Sequence, residues 1–218
     1  MKEKRNPVRD KHEEYFAKMV IEHEFNIIDL QKSESPDWVN ETTGIEVVTA
    51  FPVSYSRAES EYIKGLQLQN EGNYEKAQVN FNKSYCNGSG LKYYKQEVMV
   101  GGHPIEIRFG SYCGDSYSRD IALAKERIEK KIKKSEQYKA VIDLRLYVFI
   151  LGGFPDFLDY QFMQEIQNFL YKKSDPTFSE IYIHAYWCWK LYHITPTERN
   201  LYRLDSKFYN EKLRDLNK

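Results

Sequence analysis

The sequence predicts an α/β protein in which helices flank a mixed central sheet. Helix-like and strand-like segments alternate along the 218 residues, and residues 140–151 form a nearly continuous apolar run. A strand that is apolar on both faces belongs in the middle of a sheet covered on both sides. Apolar residues at 41% and aromatic residues at 15% supply enough surface for such a core, which excludes a disordered chain.

The first 50 residues predict one helix followed by three strands. Tyr15, Phe16 and Met19 recur at helical spacing, which predicts a helix over residues 10–23. β-branched residues predict strands at 25–30 and 45–50, and a short strand at 37–39 lies between them. The polar turn at 40–44 would join the last two strands into a hairpin.

The rest of the chain predicts an insertion and then a return to the core. Helices are expected at 57–69 and 74–85 and an edge strand at 104–109, within a stretch interrupted by glycines. Ser118 is the expected N-cap of a helix ending near Ser135. Residues 1–50 and 113–218 are therefore assigned to the core, and residues 51–112 to a mainly helical insertion. The later core elements are a strand at 140–151, a helix at 159–173 and a strand at 181–192.

Part of the expected insertion is similar to one tetratricopeptide unit. Residues 65–83 place Tyr74, Ala77 and Phe81 where two helices of such a unit pack closely. No second copy follows at a period of about 34 residues, and one unit cannot bury its own face. The segment predicts a helical hairpin, and its rival functional meaning is a non-enzymatic interaction protein.

Charge, hydropathy and cysteine content limit the functional classes to which the protein could belong. Lys+Arg and Asp+Glu both number 32, so nucleic-acid binding would have to come from local patches. Such patches exist: nine acidic residues and two Lys lie within 13–46, and seven basic and three acidic residues lie within 125–139. The second patch is a solvated helix face or a phosphate contact. No apolar run is long enough to span a membrane, and three Cys without CxxC spacing favour a reducing cytoplasm.

Two carboxylates carry the strongest chemical signal. Asp37 follows Pro36 at the start of a short strand, and Glu46 lies among Ile45, Val47 and Val48. A buried carboxylate costs several kcal/mol unless it is paired, protonated or bound to a metal. The predicted hairpin would bring both side chains to the same end of adjacent strands. Mg²⁺ prefers such oxygen ligands and takes one or two carboxylates together with substrate phosphate and water.

The segments Ser35-Pro36-Asp37-Trp38 and Gly44-Ile45-Glu46-Val47-Val48 resemble the PD-(D/E)xK nuclease superfamily, which has the restriction-endonuclease-like fold. The resemblance implies that Asp37 and Glu46 bind Mg²⁺, or Mn²⁺ in its place, with the backbone carbonyl of Val47 as a further ligand. It also implies a helix glutamate, which is Glu14 or Glu13, and Glu14 is preferred from its position on the helix face.

The Lys of the family motif is missing, because Val48 stands in its place. Some members with a similar strand supply this Lys from the following helix. Lys131 and Lys134 are the candidates here, since they lie one helical turn apart and share a face. Gln137 and Tyr138 are weaker candidates for a supporting role.

The resemblance implies metal-dependent hydrolysis of nucleic acid, with DNA as the default substrate. A homodimer is an open expectation, because many nucleases of this fold pair to cut both strands. The alternative is an inactive nuclease-fold or helical-insert adaptor that binds protein or nucleic acid without cutting. Outside this constellation, His184 lies in an apolar strand and is expected to be a satisfied core residue.

Overall fold

The computed structural model describes residues 7–84, 91–100, 103–112, 117–135, 138, 143–152, 155–171, 177–186 and 188–216. Within them lie six helices and nine strands, an α/β arrangement with a mixed sheet. The helices are α1 (Pro7–Phe25), α2 (Val53–Asn70), α3 (Tyr74–Ser84), α4 (Tyr117–Ser135), α5 (Asp156–Tyr171) and α6 (Ser206–Leu216). The strands are β1 (Gln31–Lys32), β2 (Trp38–Val39), β3 (Thr43–Thr49), β4 (Leu91–Val100), β5 (His103–Tyr112), β6 (Asp143–Ile150), β7 (Glu180–Ala185), β8 (Lys190–Ile194) and β9 (Arg199–Arg203).

Seven strands form the main sheet in the order β1-β2-β3-β6-β7-β8-β9. The three central strands β3, β6 and β7 are parallel to one another, and the strands on either side of them are antiparallel. Strand β6 lies in the middle, and its residues 146–150 are fully buried. This agrees with the prediction from the apolar run, because a central parallel strand is covered on both faces.

The chain divides into two compact units. The first contains Met1–Ala50 and Asp120–Lys218, and the second contains Phe51–Arg119. The second unit holds α2 and α3, which pack against each other, and the two-stranded antiparallel sheet of β4 and β5. Gly65 on α2 is needed for the helix packing, because a Cβ there would lie 2.5 Å from the ring of Phe81 on α3.

Two predicted strands are corrected by the structure. Residues 26–30 form no strand, because Asn26 and Asp29 adopt left-handed backbone angles (φ 52° and 61°) that interrupt an extended chain. The expected strand at 181–192 is two strands, β7 and β8, which form an antiparallel hairpin. Trp189 has a positive φ of 56° in the connection, where the sequence has neither Gly nor Pro to signal a turn.

Smaller differences concern element ends and elements that were not predicted. Helix α4 already includes Ser118, which is therefore not its N-cap. Strand β4 lies in a stretch expected to be irregular, and β9 and α6 follow the strand expected to be the last. Cys188 is a free thiol, while Cys86 and Cys113 lie outside the described residues. Among the described helices, none combines the length and apolar character needed to cross a membrane.

Candidate active site

The pairing of β2 with β3 brings the two predicted carboxylates together. Trp38 pairs with Ile45 in this antiparallel ladder, so the register places the neighbouring residues Asp37 and Glu46 opposite each other. Directly opposed residues on antiparallel strands have their side chains on the same face. The backbone N–H of Val47 donates a 2.7 Å hydrogen bond to Oδ2 of Asp37, which holds that carboxylate against β3.

Glu46 is almost fully buried, with 2% of its surface exposed. Its Oε1 accepts a hydrogen bond from the ammonium of Lys131, a lysine on α4 whose side chain is also buried. Its Oε2 is buried and makes no hydrogen bond of standard geometry within the described part of the chain, although the hydroxyl of Tyr138 lies beside Glu46 and interacts with it. Such an oxygen is costly to leave unsatisfied, and a site that binds a ligand is one of the few reasons for it to persist.

Lys134 and Tyr138 lie next to the same carboxylate. The Lys134 Nζ is 3.9 Å from Oε1 of Glu46, and its side chain is half exposed. Tyr138 carries a buried hydroxyl whose pKa is raised above its usual range by burial and by the negative charge of Glu46. Gln137, the other residue considered for a supporting role, lies outside the described residues.

Helix α1 and strand β1 supply the other side of the site. The Lys32 ammonium is 2.5 Å from Oε2 of Glu14 and 3.8 Å from Oδ1 of Asp37. The indole N–H of Trp38 donates to the backbone carbonyl of Glu14 at 2.9 Å, which ties α1 to β2. Glu13, the other candidate for the helix glutamate, is buried and takes part in other interactions.

The pKa of Asp37 is shifted by burial and by the charged groups around it. This pKa is raised to about 6, first by burial and then by the negative charges of Glu46 and Glu14, against the opposing effects of the hydrogen bond from Val47 and the charge of Lys131. The carboxylates of Glu14, Asp37 and Glu46 therefore interact, although they reach the site from α1, from the residue before β2 and from β3. A carboxyl with a raised pKa among other carboxylates is typical of a functional site.

The carboxylates of Asp37 and Glu46 are the two oxygen-donor side chains that this site could offer to a divalent cation. Among the residues that the structure describes, no group of three or more His, Cys, Asp or Glu side chains is arranged to hold a metal ion. Mg²⁺ needs only one or two carboxylates when substrate and water supply the remaining ligands. The buried Oε2 of Glu46, which lacks a hydrogen bond of standard geometry within the described residues, is the observation that favours a cation, and Oδ1 of Asp37 is the second candidate ligand.

The structure brings together some of the site residues that the resemblance implied more closely than others. Asp37, Glu46, Lys131 and Lys134 meet at one place, and Glu14 joins them through Lys32 and its effect on Asp37. Val47 contributes its N–H to Asp37, and the role of its carbonyl as a metal ligand stays a prediction. Lys32 was missed, because a lysine on a two-residue strand outside any motif gives no signal in the sequence.

Comparison with known proteins adds no further assignment. No family model matches the chain, and neither the curated proteins nor the solved structures contain a similar one. The function therefore has to be argued from the geometry of the Asp37–Glu46–Lys131 site.

Proposed function

We propose that this chain has a restriction-endonuclease-like fold and is a divalent-cation-dependent nuclease that hydrolyses phosphodiester bonds, with DNA as the expected substrate. The observation that carries the proposal is the contact of Lys131 with Glu46 beside Asp37. In this proposal Lys131 on α4 would supply the ammonium group that Val48 does not. The order helix, three antiparallel strands, helix and parallel strand supports the fold assignment.

Each residue of the site would have a separate role in hydrolysis. Oδ1 of Asp37 and Oε2 of Glu46 would hold a Mg²⁺ ion, with Oδ2 of Asp37 fixed by the N–H of Val47. The bound ion supplies Lewis acidity toward the phosphate and lowers the pKa of a bound water. The Lys131 ammonium, held by Glu46, orients the attacking water and balances negative charge on the phosphate oxygens. Water attacks phosphorus and loses a proton to solvent, the bond between phosphorus and the leaving oxygen breaks, and that oxygen takes up a proton from solvent.

Cleavage of supercoiled plasmid with Mg²⁺ or Mn²⁺ tests the proposal. Asp37→Ala, Glu46→Gln and Lys131→Met are each expected to lower the cleavage rate by at least about 100-fold, because each removes a charged group that acts on the reacting phosphate. Glu129→Gln is the matched control: this residue also pairs with a lysine on α4, Lys133, but is exposed. Circular dichroism establishes that each variant is folded.

Two results would contradict the nuclease proposal. One is cleavage by folded Asp37→Ala or Glu46→Gln protein at the rate of the unaltered chain, which would mean that the activity lies elsewhere or in a contaminant. The other is an unaltered chain that cuts neither DNA nor RNA with either cation.

The second candidate is a protein of the same fold that binds without cutting. It is favoured by the direct ion pair of Lys131 with Glu46, because this pair already neutralises one of the two proposed ligands. Failure of the unaltered chain to cleave, together with retained binding of nucleic acid, would select this candidate.

A further inference from the structure

Three carboxylates and three ammonium groups meet at the candidate site. The carboxylates belong to Glu14, Asp37 and Glu46, and the ammonium groups belong to Lys32, Lys131 and Lys134. Among the described residues of the site the charges are equal in number, so these side chains leave no net negative charge to repel an anion. A bound divalent cation would add two positive charges. An anionic ligand is therefore compatible with the site without the cation and favoured with it.

The three lysines differ in access to solvent. The Lys131 side chain is 9% exposed, whereas those of Lys32 and Lys134 are 47% and 50% exposed. An ion pair at the surface contributes little, so the two exposed lysines can turn toward a ligand at small cost. The distance of Lys134 to Glu46, 3.9 Å, and that of Lys32 to Asp37, 3.8 Å, are also longer than those of a close ion pair, although Lys32 forms a close pair with Glu14.

The two exposed lysines reach the site from different elements. Lys32 lies on β1 and approaches Asp37, while Lys134 lies on α4 and approaches Glu46. Each ammonium also lies near an aromatic ring, at 5.0 Å from the centre of Trp38 and 5.8 Å from that of Tyr138. Such contacts favour positions of both charges next to the carboxylates.

We propose that Lys32 and Lys134, the lysine pair, bind backbone phosphates of a nucleic-acid strand on either side of the carboxylates. The inference rests on the proposed function only in taking a phosphodiester as the ligand. It assigns Lys32 a role that no motif indicates, and it makes Lys134 a substrate-binding residue while Lys131 acts on the reacting phosphate.

Helix α4 offers a matched control for the lysine pair. Lys130 and Lys133 are 60% and 73% exposed, and each pairs with a glutamate one turn earlier, Glu126 and Glu129. They have the same charge as the lysine pair and greater exposure. Removing both therefore changes the net charge by the same amount without touching the candidate site.

The test measures binding in EDTA, so that no cleavage takes place. Fluorescence anisotropy gives the Kd for labelled duplex DNA, single-stranded DNA and single-stranded RNA of one sequence over a series of KCl concentrations. Lys32→Ala/Lys134→Ala is expected to weaken binding about tenfold or more at low salt. It should also reduce the slope of log K against log salt by about two, because each phosphate contact contributes about one to that slope. Lys130→Ala/Lys133→Ala should leave the slope near that of the unaltered chain.

The inference is overturned if the folded Lys32→Ala/Lys134→Ala protein keeps the Kd and salt slope of the control variant. It is also overturned if the unaltered chain binds none of the three nucleic acids. If the double variant does not fold, Lys32→Ala and Lys134→Ala are measured separately, and each is expected to lower the salt slope by about one. Lysine-dependent binding by a chain that never cuts would refute the nuclease while supporting the lysine pair. Cleavage by the unaltered chain, together with an unchanged salt slope in the Lys32→Ala/Lys134→Ala variant, would support the nuclease and refute the lysine pair.

Discussion

Two buried charge clusters in the sheet unit differ in how completely their hydrogen bonds are made. In the first, Asp159 on α5 accepts from Lys190 at 2.7 Å and from the hydroxyl of Tyr192 at 2.7 Å, one bond to each carboxylate oxygen. Lys190 also donates to Asp156, which Arg203 contacts as well. In the second, a buried oxygen of Glu46 lacks a hydrogen bond of standard geometry within the described residues, and Asp37 is held with a raised pKa.

The difference is the one expected between a structural cluster and the proposed functional site. The Asp159 cluster ties α5 to β8 and β9, and neither Asp159 oxygen is left for a ligand. The Asp37–Glu46 site also combines carboxylates with lysines, but within the described residues one buried oxygen of Glu46 lacks a hydrogen bond of standard geometry. Buried polar groups are almost always satisfied, so an incomplete set next to a raised pKa indicates a place for something else.

The largest effect on stability is expected from Asp159→Ala. The change leaves the Lys190 ammonium and the Tyr192 hydroxyl buried with their main acceptor gone, at a cost of about 3–5 kcal/mol in the free energy of unfolding. Urea unfolding followed by tryptophan fluorescence measures it, because all three Trp lie in the first unit. Asp156→Ala is the control, since this exposed residue contacts the same lysine, and it should matter far less. Equal effects of the two variants would refute the structural role of Asp159.

His184 shows that a missing hydrogen bond by itself does not make a site. It is fully buried, neither ring nitrogen has a hydrogen-bond partner in the described part of the chain, and its ring stacks on Phe16 at 5.0 Å. Burial lowers its pKa to about 3. It is thus a core residue as predicted, but not a satisfied one, and its ring contacts among the described residues are with aromatic side chains.

This histidine predicts a loss of stability in acid. The unfolded chain binds a proton on His184 below about pH 6.5, whereas the folded chain stays neutral there until pH falls to about 3. The contribution of neutral His184 to the free energy of unfolding is therefore fully present above about pH 6.5. It declines as pH falls below that value, by about 2 kcal/mol between pH 8 and pH 5. His184→Phe should lack this contribution, which urea unfolding at the two pH values measures. Equal pH dependence in both proteins would contradict the prediction.

The smallest expected effect has the opposite sign. Asp37→Asn removes a negative charge beside Glu46 and keeps an oxygen that can accept from the N–H of Val47. It should raise the free energy of unfolding by about 1 kcal/mol at pH 8, where the ionised carboxylate is unfavourable in the fold. Cleavage should be lost in the same protein. A destabilised Asp37→Asn chain would indicate that Asp37 is structural, as Asp159 is.

Much of this architecture could be predicted from local patterns. The apolar run of β6, the helical spacing of α1 and the hairpin of β2 and β3 all follow from periodicity and turn residues. The strand predictions from apolar residues were wrong where the backbone turns without a sequence signal. Asn26 and Asp29 interrupt an apolar segment, and Trp189 lies in a turn that contains no Gly or Pro. β-propensity describes a side chain on a pleated surface and cannot detect such reversals.

By itself the sequence determined which segments are buried and that two carboxylates, Asp37 and Glu46, stand close to each other on neighbouring strands. The tertiary structure decided which cations meet them. Lys131 is 85 residues from Glu46 along the chain, and Lys32 comes from a strand of two residues. Spacing reports only local geometry, whereas the partners of a buried charge depend on which distant elements pack together. Two clusters that both pair carboxylates with lysines can therefore differ in the hydrogen bonding of one buried oxygen, and only the packing reveals it.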